Sequence, residues 1–254
     1  MSGFGFRDVL LVALLGLGVT GQECSWNKDT DFPEFPPIML DASFEIVRPA
    51  MEGDLRVVRV SAGAQLTLAC PGSEIANLGS VAVDVTCGGG DLLVVDGTEW
   101  RLHELGCTKK DKESIHRNLG SCGDGGAGVF EGIGFEIYGP ESFYELIRVC
   151  FDPSAETTLY SEHVVRGANI AAKDIDSSRP SFKSSSGFFS DLANTILNPG
   201  EQLYFAKGHL APDADFVTEA EQDATYYYIN AVPQWQVFNN GNWKARRILF
   251  YFFV

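Results

Sequence analysis

The sequence lacks an excess of positive charge. Its 254 residues include 19 Lys and Arg against 34 Asp and Glu, which gives a formal net charge of −15 at pH 7. Proteins that bind polyanions through their overall charge are normally basic, so this balance argues mildly against that mode of binding. It leaves open binding through a divalent cation and a few local Arg or Lys side chains.

The sequence also lacks an apolar run long enough to span a membrane. The run from Val9 to Val19 is too short for a span, follows a basic Arg7, and is succeeded by small residues up to Gly21. This pattern is typical of a secretory signal peptide that is cut after Gly21. We therefore expect residues 1–21 to be removed and the mature chain to be secreted to the extracellular space, without stable membrane association.

No Cys-x-x-Cys pair occurs, which disfavours a structural zinc site. An even number of cysteines lies beyond the predicted cleavage site, as expected for a protein of an oxidising compartment. We predict three disulfides, whose pairing the sequence does not determine. The six residues are Cys24, Cys70, Cys87, Cys107, Cys122 and Cys150.

Short segments rich in β-branched and aromatic residues, bounded by Gly, Pro or Asp, follow the signal peptide. We predict a β-rich, disulfide-stapled module over residues 22–140 and a second domain over residues 141–254. The Gly-rich stretches near Gly88 and Gly123 lack the Lys-Ser/Thr of a phosphate loop and are interpreted as turns. The predicted strands of the module are Leu55–Val60, Gln65–Ala69, Val81–Thr86, Leu92–Val95 and Phe135–Tyr138.

The second domain is predicted to mix strands and helices, so the whole chain is expected to be an α+β protein. A helix is predicted over Phe188–Leu197, where Asn198-Pro199-Gly200 ends it. Strands are predicted over Glu145–Asp152, Glu201–Ala206 and Thr225–Asn230, with a helical or loop segment over Val217–Ala224.

The segment Lys207-Gly208-His209 combines the groups that phosphodiester hydrolysis needs. An imidazole accepts a proton at physiological pH, so His209 is a candidate general base that activates water. Lys207 lies two residues away, on the same face of an extended segment, and supplies a fixed positive charge. The other three histidines, His103, His116 and His163, are scattered singly and are interpreted as surface or core residues.

Amide residues follow this segment in two groups, Asn230-Ala231-Val232-Pro233-Gln234 and Asn239-Asn240-Gly241-Asn242-Trp243. Neutral amide oxygens suit a hard cation such as Mg²⁺, which keeps most of its waters. Together, the segment at His209 and these two groups resemble the DNA/RNA non-specific endonuclease family, most closely its insect secreted double-stranded ribonucleases. The resemblance covers about residues 145–245 and implies a strand–strand–helix metal finger, the ββα-metal or His-Me finger core.

This resemblance assigns roles to five residues. It implies that His209 is the general base, that Lys207 occupies the position of the motif's Arg, and that Asn239 binds Mg²⁺ (or Mn²⁺). It also implies that Asn230 helps to position the site. Arg179 is aligned with an upstream arginine that stabilises the pentavalent phosphate. The implied substrates are RNA and DNA, double-stranded RNA above all, cut with little base specificity. Asp213 and Asp215 are interpreted as turn residues rather than as further metal ligands.

The sequence departs from the family at three points. Ala206 replaces the Asp of the family's Asp-Arg-Gly-His motif, and Arg247 replaces a Glu that orders the metal's waters. Residues 246–254 form an atypical tail, apolar after Arg247, where the family continues. These departures suggest a truncated domain of weak activity. The alternative is a catalytically inactive extracellular protein that binds nucleic acid or another partner through a nuclease remnant. The oligomeric state is not determined by the sequence.

Overall fold

The structure is a computed structural model that describes residues 21–175, 179–184 and 205–243. In these ranges the chain is built mainly from strands, with short helical segments, and is an α+β protein as predicted. The strands are β1 (Cys24–Asn27), β2 (Ile38–Asp41), β3 (Ala50–Glu52), β4 (Leu55–Val60), β5 (Gln65–Ala69), β6 (Ala82–Gly89), β7 (Leu92–Val95), β8 (Thr98–Arg101), β9 (Ser114–His116), β10 (Ser121–Cys122), β11 (Gly128–Glu136), β12 (Phe143–Asp152), β13 (Thr157–His163), β14 (Phe205–His209) and β15 (Ala231–Trp235).

Two antiparallel sheets form the first part of the chain. One has the strand order β1-β4-β3, and the other has the order β2-β5-β6-β7-β8. In β5, Leu66 and Leu68 are buried while Gln65 is exposed and Thr67 is half-buried, which is the alternation expected of a strand with one face on a core. Three predicted strands, β4, β5 and β7, have the predicted bounds.

The six cysteines form three disulfides, as predicted, and the structure supplies their pairing. Cys24 pairs with Cys87, Cys70 with Cys107, and Cys122 with Cys150. The first two lie in the core of the first part of the chain, together with the fully buried Trp26. Each cross-link that closes a loop of this size stabilises a fold by about 2–4 kcal/mol, chiefly by restricting the unfolded chain.

A further sheet has the order β10-β11-β12-β13, with β9 also pairing with β11. The long hairpin β11–β12 crosses residue 140, where the sequence suggested a domain boundary. The core beside this hairpin combines Leu40 from β2, Ile133 from β11 and Ile229 from the C-terminal part. The division at residue 140 stays a prediction.

Helix α1 (Glu219–Ala224) makes three ion pairs with two residues before position 140, Arg48 and Lys110. Arg48 Nη2 lies 2.6 Å from Glu221 Oε1, and both side chains are almost fully buried. Lys110 Nζ lies 2.7 Å from Asp223 Oδ2 and 2.6 Å from Glu219 Oε1. A buried charge is stable only when it is paired, so the contact between Arg48 and Glu221 fixes α1 against the first part of the chain. The helix lies in the segment Val217–Ala224, for which a helix or a loop was predicted.

The strand predicted over Thr225–Asn230 is wrong. The structure has a 3-10 helix at Tyr228–Asn230, and the strand β15 follows it. The three tyrosines Tyr226–Tyr228 suggested a strand by composition, but the buried side chain of Asn230 binds the backbone of Thr225 and of Ala211, which bends this segment into a turn.

Strands β14 and β15 form an antiparallel pair in which Phe205 faces Trp235 and His209 faces Ala231. A short α-helix, α2 (Gln236–Phe238), follows β15 and continues into a π-helical turn (Asn239–Trp243). This strand–strand–helix order is the one that the resemblance implied. The predicted helix Phe188–Leu197, residues 1–20 of the predicted signal peptide, and the tail 246–254 lie outside the described residues. Among the described helices, none has the length and apolar character of a membrane span.

Candidate active site

The pairing of β14 with β15 places Lys207 and His209 on one face of the hairpin. Successive residues of a strand point to opposite faces, so Phe205, Lys207 and His209 share a face, and Ala206 and Gly208 share the other. Phe205 and Trp235 confirm this geometry, because their rings stack with centroids 4.2 Å apart. The two side chains predicted to act on the phosphate therefore face the same side.

His209 is half-buried between aromatic rings. The Phe182 ring centroid lies 4.8 Å from that of the imidazole, and the Tyr226 ring meets the imidazole edge-on, also at 4.8 Å. The rings of Phe182 and Tyr226 also contact each other, with centroids 5.2 Å apart. Packing on two sides restricts the rotation of the imidazole and holds it in one orientation.

Lys207 is exposed, and its ammonium group lies over two aromatic rings. The distance from Nζ to the ring centroid is 5.3 Å for Phe182 and 5.1 Å for Tyr228. Cation–π contacts of this kind contribute about 0.5–1 kcal/mol each at an exposed site. Phe182 therefore contacts both Lys207 and His209, and it sets the position of one relative to the other.

Gly208 is required by a close approach within the hairpin. A Cβ atom at this position would lie 2.3 Å from Cδ and 2.4 Å from Oε1 of Gln234, which faces the same side of the sheet. The sequence suggested that this glycine allows the substrate backbone to come close. In the structure the close neighbour is the side chain of Gln234, on the face opposite to His209.

Asn230 is fully buried and all its hydrogen-bond partners are backbone groups. Its Oδ1 accepts a hydrogen bond from Ala211 N at 2.9 Å, and its Nδ2 donates to Ala211 O at 2.7 Å and to Thr225 O at 2.9 Å. Its backbone oxygen accepts a hydrogen bond from Leu210 N, next to His209. These hydrogen bonds hold the loop after His209. The resemblance predicts that Asn230 helps to position the site.

We expect Asn230→Ala to lower the free energy of unfolding by about 3 kcal/mol. The substitution leaves the buried Ala211 N–H and the two carbonyl groups without their partners, and each such loss costs about 1–3 kcal/mol. Urea unfolding monitored by tryptophan fluorescence measures the change. Asn240→Ala is the matched control, because Asn240 is exposed and its loss should change the free energy by less than about 0.5 kcal/mol. Equal losses in the two variants would contradict this account of Asn230.

Arg179 is 71% exposed and lies beside Asp213, with Nη2 3.5 Å from Oδ2 of the carboxylate. The same oxygen accepts a hydrogen bond from the Tyr226 hydroxyl at 2.9 Å. These residues line a cleft together with Lys173 and Gln222. Burial raises the pKa of Tyr226, and the charge of Asp213 and the hydrogen bond to it raise it further, so the hydroxyl keeps its proton.

Asn239 is half-buried at the start of the π-helical turn, directly after α2. The helix begins directly after Trp235. The partner of Trp235 on β14 is Phe205, which lies four residue steps of about 3.3 Å each from His209. The residue carries a neutral amide oxygen, a ligand that suits Mg²⁺. The side-chain amide of Asn230 is hydrogen-bonded to the backbone. Asn239 is therefore the better candidate of the two for a cation ligand.

Among the described residues, one group of Cys and Asp side chains has the spacing of metal ligands. Cys70, Cys107 and Asp111 have ligand atoms within 4.8 Å of one another. Both sulfurs are already bonded in the Cys70–Cys107 disulfide, so neither can act as a thiolate ligand. Burial raises the pKa of Asp111 and favours its neutral form. This group therefore does not hold the cation of a nuclease site.

The aromatic surroundings of His209 were not predicted from the sequence. Tyr226 and Tyr228 belong to a run of three tyrosines, which was interpreted only as a strand. Phe182 lies in a separate segment, and no sequence spacing links it to His209. Asp213 is a turn residue, as predicted, and begins a 3-10 helix (Asp213–Asp215), but its carboxylate also joins Tyr226 to Arg179. His163, interpreted as a surface or core residue, pairs with Asp215 at 2.9 Å.

The chain is similar to a known protein family and to individual salivary proteins. Residues 126–245 match the sequence profile of the DNA/RNA non-specific endonuclease family. The chain is 25% identical to a salivary endonuclease of Lutzomyia longipalpis over 261 residues, which cover 92% of this chain and 59% of the relative. It is 24% identical to the salivary protein Tsal1 of Glossina morsitans morsitans over 274 residues, which cover 94% of this chain and 65% of the relative.

A shorter stretch of 47 residues is 49% identical to a salivary endonuclease of Culex quinquefasciatus, and it covers 18% of this chain and 13% of that relative. The chain thus spans about three fifths of the length of the first two relatives. No solved structure matches it.

Proposed function

We propose that this chain, whose residues 126–245 belong to the DNA/RNA non-specific endonuclease family, hydrolyses internal phosphodiester bonds of RNA and DNA with His209 as the general base. The observation that carries the proposal is the shared face of β14, on which His209 lies two residues from the cationic Lys207. A base beside a positive charge can activate water and attract the phosphate to the same place.

The roles of the side chains follow from their chemistry. His209 accepts the proton of the attacking water, and the rings of Phe182 and Tyr226 hold the imidazole in the orientation that receives it. Lys207 and Arg179 offset the negative charge that grows on the phosphate as the new bond forms. Arg179 can donate two parallel hydrogen bonds to phosphate oxygens, whereas Lys207 acts as a point charge.

The side-chain amide oxygen of Asn239 suits a divalent cation. This residue would hold Mg²⁺, or Mn²⁺ in its place, through one amide oxygen, and a hard cation bound in this way keeps most of its waters. When bound, the cation supplies a Lewis acid that polarises the phosphate oxygens. Asn230 contributes by fixing the backbone after His209 and not as a second ligand.

The substrate is recognised through its backbone. Metal and cationic side chains contact phosphates and carry no base information, which agrees with cleavage of both RNA and DNA with little base preference. Double-stranded RNA is the substrate that the resemblance favours. With a net charge of −15, we expect binding to depend on the local cations and on the divalent ion rather than on the overall field.

The mature protein is proposed to act outside the cell. Three disulfides are typical of secreted proteins, and the predicted signal peptide over residues 1–21 agrees with them. The names of the relatives from Lutzomyia longipalpis and Glossina morsitans morsitans describe salivary proteins, which supports the same compartment.

Cleavage of a covalently closed circular DNA and of a double-stranded RNA tests the proposal. We expect the purified mature chain to linearise the circle with Mg²⁺ present, and we expect EDTA to lower the rate at least about a hundredfold, because the cation supplies several kcal/mol of charge stabilisation. Adding excess Mg²⁺ should restore the rate. Cleavage at an equal rate in EDTA would contradict the metal-dependent mechanism, and no cleavage in either condition would contradict the enzymatic function.

Two residues, Ala206 and Arg247, favour a second function, which is binding without cleavage. Ala206 occupies the position of the family's Asp, and Arg247, which lies outside the described residues, occupies that of a Glu. The resemblance implies that this Glu orders the metal's waters, and a positive charge in its position would repel the cation. The alternative function is therefore to bind nucleic acid or a partner without cutting it. In that case Arg247→Glu should raise cleavage activity, whereas the wild type should bind a labelled RNA duplex without shortening it.

A further inference from the structure

Tyr226 contacts the proposed general base His209 directly, and Asp213 connects it to the proposed phosphate-binding residue Arg179. The edge of its ring packs against the His209 imidazole at an interplanar angle of 84°. Its hydroxyl donates a hydrogen bond of 2.9 Å to Asp213 Oδ2, the same atom that lies 3.5 Å from Arg179 Nη2. A chain of direct contacts therefore runs from the imidazole to the guanidinium.

From Tyr226 to Arg179, the burial of the side chains decreases. Tyr226 is 5% exposed, the Asp213 side chain is 19% exposed, and the Arg179 side chain is 71% exposed. A long side chain as exposed as Arg179 would lose much rotamer freedom on contacting a phosphate. A carboxylate that is itself fixed by a buried tyrosine reduces this cost, because it restricts the guanidinium before the substrate arrives.

The contact with Asp213 leaves Arg179 with N–H donors that can bind a phosphate. A guanidinium has five N–H donors, and the contact with Asp213 is made by one nitrogen, Nη2. The remaining donors can face the cleft that Lys173, Gln222 and Tyr226 line.

We propose that Tyr226 and Asp213 are positioning residues that set Arg179 in a fixed place relative to His209. The proposal deepens the proposed function and rests on it for the roles of Arg179 and His209. In it, the Tyr226 hydroxyl acts on the reaction only through Asp213 and Arg179, and the Tyr226 ring acts through His209. The two effects of one side chain can therefore be separated by substitution.

A double-mutant cycle between Tyr226→Phe and Arg179→Ala tests the connection. Tyr226→Phe keeps the ring against His209 and removes only the hydroxyl. We expect Arg179→Ala to lower kcat about a hundredfold and Tyr226→Phe to lower it about fivefold. Since the hydroxyl acts through Arg179, the double variant should be within about twofold of Arg179→Ala alone. A loss near the product of the two single effects, about 500-fold, would overturn the proposal.

Binding in EDTA gives a second readout that needs no catalysis. We expect Tyr226→Phe to weaken binding of a fluorescein-labelled DNA duplex about threefold when Arg179 is present and not when it is alanine. Asp213→Asn, which keeps an acceptor for the hydroxyl but removes the charge, should weaken binding by a similar factor. Equal effects of Tyr226→Phe in both backgrounds would overturn the proposal.

A control variant and a comparison of binding with cleavage distinguish the positioning role from the proposed function. Tyr160→Phe, a hydroxyl deletion on the edge strand β13, is the matched control and should leave binding and cleavage unchanged. If the wild type binds with the expected coupling but does not cut, the proposed function fails while the positioning role stands. If it cuts and the effects are additive, the positioning role fails while the function stands.

Discussion

Replacing His209 with alanine is expected to lower kcat for cleavage of double-stranded RNA about a thousandfold, because general-base catalysis contributes about 10²–10⁴ to such rates. The loss should fall mainly on kcat, since Lys207, Arg179 and the cation still bind the phosphate. Single-turnover cleavage of a labelled duplex measures the effect. The fold should survive, because the imidazole is only half-buried and packs at one side of the rings of Phe182 and Tyr226, which also contact each other.

His103→Ala is the matched control for this experiment. His103 is exposed in a short 3-10 helix of the first part of the chain (Leu102–Leu105) and does not belong to the candidate site. We expect its loss to leave the rate within about twofold of the wild type, as for most surface substitutions. Similar losses in His103→Ala and His209→Ala would show that the assay reports stability and not the general base.

Gly134→Ala is expected to destabilise the fold by about 4 kcal/mol, among the largest effects of a single substitution. Gly134 lies in β11 where the register with β12 shifts. A Cβ atom there would lie 1.8 Å from the backbone oxygen of Tyr144, and a backbone atom cannot turn aside as a side chain can. The strands would have to separate beside the fully buried Ile133 and Phe135.

Gly132→Ala, two residues earlier in the same strand, provides the comparison. Its Cβ atom would meet only the ends of side chains, at 2.9 Å from Glu145 Oε2 and 3.1 Å from Leu119 Cδ1. We expect a loss of less than about 1.5 kcal/mol, because these groups can move. Urea unfolding with the disulfides intact measures both variants, and equal midpoints would disprove the backbone contact at Gly134.

The strands of the first part of the chain could be predicted because their core positions alternate. Leu55–Val60, Gln65–Ala69 and Leu92–Val95 are short, apolar on one face and bounded by turn residues, so local sequence determined their limits. The three disulfides could be counted but not paired, since pairing depends on which strands become neighbours. The strand predicted over Thr225–Asn230 was wrong because its tyrosines are typical of a strand, whereas the hydrogen bonds of Asn230 to Ala211 define a turn.

The part of the candidate site that lies on one strand could also be predicted from local sequence. Lys207 and His209 are two residues apart on one strand, so their shared face followed from the strand period alone. The surroundings of His209 come from three separate segments of the chain. Nothing in the sequence near Phe182 indicates that its ring would contact both Lys207 and His209. Asp213 was identified as a turn residue, but its contacts with Tyr226 and Arg179 arise only in the folded chain.

The acidic composition limits how the chain can bind a polyanion. With 34 acidic against 19 basic residues, the overall field repels nucleic acid, and attraction depends on local cations such as Lys207 and Arg179. A protein that makes few phosphate contacts releases few counterions on binding, so its affinity should depend only weakly on salt. The divalent cation then carries a large share of the neutralisation, in agreement with the EDTA sensitivity proposed above.

Chemical rescue of His209→Gly tests most directly the claim that this imidazole is the base of a nuclease. The substitution leaves a space between the rings of Phe182 and Tyr226 that free imidazole can enter. The account predicts that the variant cuts double-stranded RNA about a thousandfold more slowly than the wild type with Mg²⁺ present. It also predicts that added imidazole recovers part of the rate. A folded His209→Gly variant that cuts at the wild-type rate, with or without imidazole, would contradict it.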